Sequence, residues 1–149
     1  MRFASKHVLA GSRSPRESAL AALLTLPHAY GGYALPKPQL NYEFELSCKA
    51  AKIWGHSACE VDGAWPNAKV AYEYQSALHD GRASRDSIKH AALRRDGWKV
   101  IDIGNGQITH EEQMDELARE FAHMLSIRFH PRGKGYRAAQ FRLFEALVR

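Results

Sequence analysis

Residues 60–75, Glu-Val-Asp-Gly-Ala-Trp-Pro-Asn-Ala-Lys-Val-Ala-Tyr-Glu-Tyr-Gln, constrain the fold more than any other stretch of this chain. Val70, Tyr72 and Tyr74 are bulky and alternate with Ala71, Glu73 and Gln75, the period of a β-strand, in which side chains two apart share a face. Pro66 and Asn67 are turn residues, Pro by its fixed φ and Asn by its tolerance of turn conformations, so the chain is expected to reverse there as a hairpin. A loop centred on those two residues pairs Asp62 with Ala71. Asp62 then shares a face with Glu73 and Gln75, one diagonal step or roughly 7–8 Å from Glu73. The inference depends on register, because a loop one residue longer turns Asp62 to the other face.

Two readings of that face are open. Glu73 and Gln75 could simply meet solvent on one side of an antiparallel sheet. Alternatively, Val70, Tyr72 and Tyr74 mark a well-packed central strand, where a carboxylate needs a partner, and a divalent metal ion held with Asp62 would be one. Six residues past Glu73 comes His79, then a basic helix, so acids are followed directly by groups suited to phosphate.

The bulk properties narrow the class without choosing it. The chain has 149 residues, 45% hydrophobic and 25% charged, enough for one globular domain with its own core, with residues 1–13 expected as a flexible N-terminal segment. A formal net charge of +5 suits an anionic partner. Cys48 and Cys59 stand in no CxxC or Cys/His spacing, so neither a disulfide framework nor a structural zinc site is indicated. The longest apolar run, residues 19–26, cannot span a bilayer, and no signal-peptide pattern is present. A cytoplasmic protein with no membrane partner is expected.

Along the chain, Ser14-Pro15-Arg16-Glu17 opens a helix with an N-cap, a first-turn Pro and a capping-box Glu, and Leu20, Leu23 and Leu24 give its buried stripe. Residues 41–46 alternate as a strand, and the hairpin supplies two more. A helix over about 84–95, stopped by Gly97, leads into a strand over 98–103. Gly104-Asn105-Gly106 reads as a turn. Thr109 with Glu112 forms a second capping box before an amphipathic helix carrying Met114, Leu117, Ala118, Phe121 and Met124. A basic loop, residues 128–137, precedes a last helix with Phe141, Phe144 and Val148. The expected order, α-β-β-β-α-β followed by C-terminal helices, is an α/β fold with a mixed sheet flanked by helices.

Ordered motifs from Ser14 to about Phe121 carry a resemblance. They are Ser14-Pro15-Arg16-Glu17, Gly31-Gly32-Tyr33-Ala34-Leu35-Pro36, Asp62 to Pro66 as Asp-x-x-Trp-Pro, and Glu73-Tyr74 followed by His79. Arg85-Asp86, Lys89, Leu93 and Gly97-Trp98-Lys99-Val100 complete the set. In them the chain resembles a family of bacterial endonuclease-like domains grouped with the very-short-patch-repair mismatch endonuclease in the PD-(D/E)XK nuclease superfamily, whose core is restriction-endonuclease-like.

The resemblance implies Asp62 and Glu73 as ligands of Mg²⁺, for which Mn²⁺ can substitute, with the Tyr74 carbonyl as a third donor. Gln75 falls where the superfamily usually has Lys and close relatives often have Asp. It retains a carbonyl oxygen for a hard cation but removes either a charge or a cationic activator of water. Ser76 and Asp80 also depart from the pattern. His79 resembles the histidine that acts near the attacking water, with a pKa suited to proton transfer, although an exposed loop histidine fits as well. Glu17 resembles a helix glutamate aimed at the metal, or is only the capping-box acid. Arg82, Arg85 and Lys89 share a helix face that could grip phosphates, or could be a solvated basic face. The implied activity is endonucleolytic hydrolysis of DNA, double-stranded DNA favoured and RNA not excluded, with a homodimer possible. A nuclease-fold protein that binds nucleic acid or a protein partner without cutting is the alternative.

Overall fold

A computed structural model describes residues 13–75, 83–130 and 133–149. They group into two compact units, one built from the chain's two ends, up to Pro38 and from Gly106 onward, and one from Gln39–Asn105. The order is α1 (Pro15–Thr25), β1 (Gln39–Glu45), α2 (Cys48–Trp54), β2 (Ala58–Trp65), β3 (Val70–Gln75), α3 (Ala83–Arg95), β4 (Lys99–Gly104), α4 (Asn105–Thr109), α5 (Glu111–Met124) and α6 (Tyr136–Leu147). The architecture is α/β with a four-stranded mixed sheet. Among the described residues no helix is long and apolar enough to cross a membrane.

In the central unit the strands lie in the order β1-β2-β3-β4, the first three antiparallel and β4 parallel to β3. The parallel pair needs a crossover, and α3 provides it. Phe44, Cys59, Val61, Ala64, Ala71, Leu93 and Trp98 form one buried cluster, in which Phe44 stacks on Trp98 with centroids 4.6 Å apart. Each large apolar side chain buried there is worth about 1.5–3 kcal/mol. Val61 and Ala64 belong to the same cluster although strict alternation would send them to opposite faces. The irregularity coincides with Asn41 of β1, which takes φ 46° between the paired positions Leu40↔Gly63 and Tyr42↔Val61.

Helix α2 was not expected from the sequence. It has only seven residues and buries one of them, Ala50, so it offers no apolar period to read. Ser47 and Gly55 delimit it: the Ser47 Oγ accepts from Ala50 N, and Gly55 caps the other end with φ 88°. It packs beside α3. Ser47 donates its N–H to Asp96 Oδ2 at 2.8 Å and its hydroxyl to Asp96 Oδ1, just past the end of α3. At the other end the Arg85 guanidinium lies 5.3 Å from the centroid of the Trp54 ring. The two helices therefore run antiparallel, fastened at both ends.

In the unit formed by the chain ends, Leu20, Leu23 and Leu24 are fully buried, and Ser14 Oγ accepts from Glu17 N as the first capping box requires. The second box does not form. Thr109 belongs to α4, where its hydroxyl donates to Gly106 O, and α5 starts after His110 with no side-chain cap. The expected turn at residues 104–106 is likewise replaced by α4, whose Ile108 is completely buried. In α6, Phe144 and Val148 are buried as expected, whereas Phe141 is 52% exposed under the Arg149 guanidinium. Asp115 is buried with Tyr33 and Gln140: it accepts from Tyr33 Oη and Gln140 Nε2, each at 2.8 Å, and from Arg137 at 2.6 Å. Gly31, at φ 91°, touches the backbone of α6 at Ala139 and Gln140 so closely that no Cβ would fit.

The hairpin differs from expectation in register. Ala71 pairs with Ala64, and Trp65 pairs with Val70, so the loop is four residues long. Pro66–Ala68 makes a 3-10 turn and Lys69 closes it at φ 51°. The shift is two residues, an even number, but the paired register stops at Gly63↔Tyr72, and the break in alternation between Val61 and Ala64 falls across Asp62. Tyr72 lies over Gly63 where a side chain would otherwise stand, and it is only 1% exposed, so its ring has nowhere to go. Gly63→Ala is expected to lower stability by about 1–3 kcal/mol, read as a drop in the urea midpoint. Gly106→Ala, with open space around it, should leave the midpoint unchanged or raise it slightly.

Candidate metal and phosphate site

Regular pairing between β2 and β3 ends at Gly63↔Tyr72. Asp62 lies one residue beyond that last pair. There the Asp62 side chain takes over from the ladder: its Oδ2 accepts the Tyr74 backbone N–H at 2.7 Å. Because the N–H and C=O of one strand residue point toward the same neighbour, the Tyr74 carbonyl also faces the Asp62 side. The Asp62 carboxylate thus stands against the Tyr74 backbone where the strands part, with Glu73 the preceding residue of β3.

Glu73 is paired with β4 at Asp102, so both acids share a face, the one covered by α3. Lys89 of α3 brings its Nζ to 2.7 Å from Glu73 Oε1, with both side chains nearly buried at 14% and 12% exposure. His90 Nε2 lies 3.6 Å from Glu73 Oε1 and 3.4 Å from Asp102 Oδ1. Neither Glu73 Oε1 nor His90 Nε2 completes a well-aligned hydrogen bond, so these are ion-pair contacts held by charge. Gln75 donates from Nε2 to Asp102 Oδ1 at 3.1 Å, and Tyr74 Oη donates to Asn105 Oδ1.

Burial pushes the Glu73 carboxyl up, but His90 and Lys89 outweigh it and hold the pKa below the ordinary carboxylate value. His90 moves the other way: contact with Glu73 raises it against the cost of burial, and Asp102 adds to the rise. Both groups are therefore charged over a wider pH range than they would be in water.

The sequence-predicted residues separate into three groups. Asp62 is bonded to the Tyr74 backbone, and Glu73 and Gln75 flank Tyr74 on β3. Lys89 joins them, turning inward to Glu73 instead of standing in solvent with Arg85, which goes to Trp54. Glu17 belongs to the other unit, where its Oε2 accepts from Arg13 N at 2.8 Å and completes the cap. His79 and Arg82 lie outside the described residues, as do Ser76 and Asp80. His90 and Asp102 were missed. Lys89, His90 and Leu93 fall at i, i+1 and i+4 with Asp86 three before Lys89, an inward helical stripe that carries charge, and that was the legible signal.

Among the described residues no three His, Cys, Asp or Glu side chains are placed to hold an ion by themselves. The donors available on and beside β3, the Asp62 and Glu73 carboxylates, the Gln75 amide and the Tyr74 carbonyl, are all hard oxygens. Mg²⁺ commonly takes one or two carboxylates and completes its shell with water and substrate phosphate, so this donor set fits it.

No protein-family profile matches the chain, and no solved structure matches it. It is similar to two uncharacterised proteins from two strains of Mycobacterium tuberculosis, each 31% identical over an alignment of 106 residues that covers 67% of this chain. The chain spans about a third of the length of these curated relatives, the alignment covering 35% of each.

His90 should titrate above about 6.5 in the wild-type protein, and Glu73→Gln should lower that value, as followed by its imidazole NMR shifts. The sign for stability follows. The contribution of His90 is fully present below its unfolded pKa and is lost as pH rises through the raised folded value. That of Glu73 is present above the unfolded carboxylate value and is lost as pH falls through the lowered folded one.

Proposed function

We propose that the protein is a metal-dependent endonuclease of restriction-endonuclease-like fold that hydrolyses phosphodiester bonds in DNA. The observation that carries this reading is the Asp62 carboxylate bonded to the Tyr74 backbone where the β2–β3 ladder stops, next along β3 to Glu73 with Lys89 against it. The element order supports it, once α2 is taken as a short insertion between the first two strands. The mixed sheet with a β3-α3-β4 crossover is the arrangement the resemblance implies.

Each residue then has a physical task. Asp62 and Glu73 supply the negative oxygens that would hold Mg²⁺, and the Asp62–Tyr74 hydrogen bond fixes the orientation of the first. Bound there, the ion would polarise the scissile phosphate and lower the pKa of a water. Lys89 provides the cation that position 75 lacks. Its ammonium, kept at Glu73 in the resting protein, can turn to a phosphate oxygen and stabilise charge as it develops there. Gln75, tied to Asp102, contributes a neutral carbonyl and leaves the charge of the site to its neighbours.

A second reading has an observation of its own. Glu73 is already neutralised by Lys89 and lies beside His90, so it has less to gain from a metal than an unpaired carboxylate would. A nuclease-fold protein that binds nucleic acid without cutting would look like this.

One experiment separates them. Purified protein should nick plasmid DNA with Mg²⁺ or Mn²⁺, and Asp62→Ala should reduce the rate by a factor of 10² or more, roughly the loss of a strong electrostatic contact in the transition state. Lys89→Gln should lower kcat by about the same order while leaving DNA affinity within a few-fold. Undiminished cutting by Asp62→Ala would remove the assignment. DNA binding with no calorimetric metal signal would favour the second reading.

A further inference from the structure

On the paired helices α2 and α3, every exposed charged side chain among the described residues is a cation: Lys49 and Lys52 on α2, and Arg85, Arg94 and Arg95 on α3. Asp86, the acid within α3, is half-buried. Because the helices run antiparallel, with Ser47 bonded to Asp96, the start of α2 lies beside the end of α3. Lys49 is therefore brought to the end that carries Arg94 and Arg95. Arg95 and Lys69 both act on the charge of Asp96, which places them at the same corner, and Lys69 Nζ donates to Asp96 O at 2.9 Å.

Helix dipoles explain part of this. Lys52, Arg94 and Arg95 stand in last turns, where cations are favoured. Lys49 and Arg85 stand in first turns, where they are not. Among the described residues, the exposed acids of the same unit lie on strands: Glu43 and Glu45 on β1, with strand parity opposite to Phe44, whose side chain enters the helix-side core, and Asp102 on β4. Asp96 sits at the cationic corner bonded to Ser47, and the exposed charges on the helices themselves are all of one sign. Such an arrangement is unfavourable in isolation and is relieved by a polyanion.

We propose that the exposed face of the α2–α3 pair is a nucleic-acid backbone surface, with Lys49, Lys52, Arg94 and Arg95 contacting phosphates of duplex DNA independently of sequence. It rests on the nuclease reading for its choice of polyanion. It extends that reading, because α3 carries this face on one side and Lys89 of the acidic site on the other.

The test is binding in EDTA, where metal-dependent cutting is absent, of a short fluorescein-labelled duplex to the full chain, followed by anisotropy between about 50 and 200 mM salt. Lys49→Gln, Lys52→Gln, Arg94→Gln and Arg95→Gln combined should weaken binding at least about tenfold and reduce the log–log salt slope by about three to four. Glu43→Gln with Glu45→Gln should change neither. If circular dichroism shows the combined variant to be misfolded, the four single variants are read instead, each expected to reduce the slope by about one. Wild-type affinity and slope in the charge variants would overturn the proposal. So would competition by polyglutamate or by phosphatidylserine vesicles as effective as that by unlabelled duplex, which would assign the face to an acidic protein or a membrane. Plasmid nicking in Mg²⁺ keeps the two readings apart: nicking lost in Asp62→Ala alongside unaffected binding by the charge variants removes this surface alone. Charge-dependent binding without any nicking removes the nuclease reading alone.

Discussion

A carboxylate almost withdrawn from water organises the central unit. Glu73 points from the middle of the sheet toward α3, and burying that charge without a counter-charge would cost several kcal/mol. Lys89 and His90 answer it from adjacent positions on the helix, and Asp102 answers His90 from the neighbouring strand. This chain of alternating charge fixes the rotation of α3 about its axis, so that Leu93 enters the core and Arg94 and Arg95 stay in water. It also carries the chemistry: removing any one member changes the charge state of the others.

The strand separation at Asp62 is the second determinant. A regular hairpin would use backbone groups to satisfy Tyr74, and a carboxylate facing that ladder would be redundant. Here the ladder stops and a side chain replaces it, so Asp62 is held by the element that its departure exposes. Gly63 serves the same end from the opposite face, since the Tyr72 ring occupies the space a side chain would need.

Much of this was legible in the sequence. Period-two alternation in residues 70–75 placed Glu73 correctly, and the Ser14 cap and the Leu20, Leu23 and Leu24 stripe placed α1. The register of the hairpin was not legible, because Pro66 and Asn67 suit both a two-residue loop and the first turn of a 3-10 segment closed by Lys69. The two solutions differ by two residues, and in the observed one the pairing stops just before Asp62. Helix α2 escaped because its stability comes from contacts with Asp96 and Arg85, both far along the chain, and not from a stripe of its own. Thr109 and Glu112 matched a capping box in spacing, but Ile108 was drawn into the interior and extended helical structure through Thr109. In the site, the position of Lys89 on the helix made it either a candidate phosphate contact or part of a solvated basic face. Its partner could not be known until β3 was placed beneath it, and His90 and Asp102 depended on the same placement.

The kink at Asn41 bears on how copies of this chain can meet. β1 is an edge of the sheet, and an edge strand ordinarily offers its unused backbone groups to any other strand. Here that template is broken in mid-strand by a residue at positive φ, and Glu43 and Glu45 stand exposed beyond it. A second sheet approaching along β1 would have to straighten Asn41 and bring carboxylates near carboxylates. The same distortion that accompanies the change of face beside Asp62 therefore also blunts one edge against sheet-to-sheet aggregation.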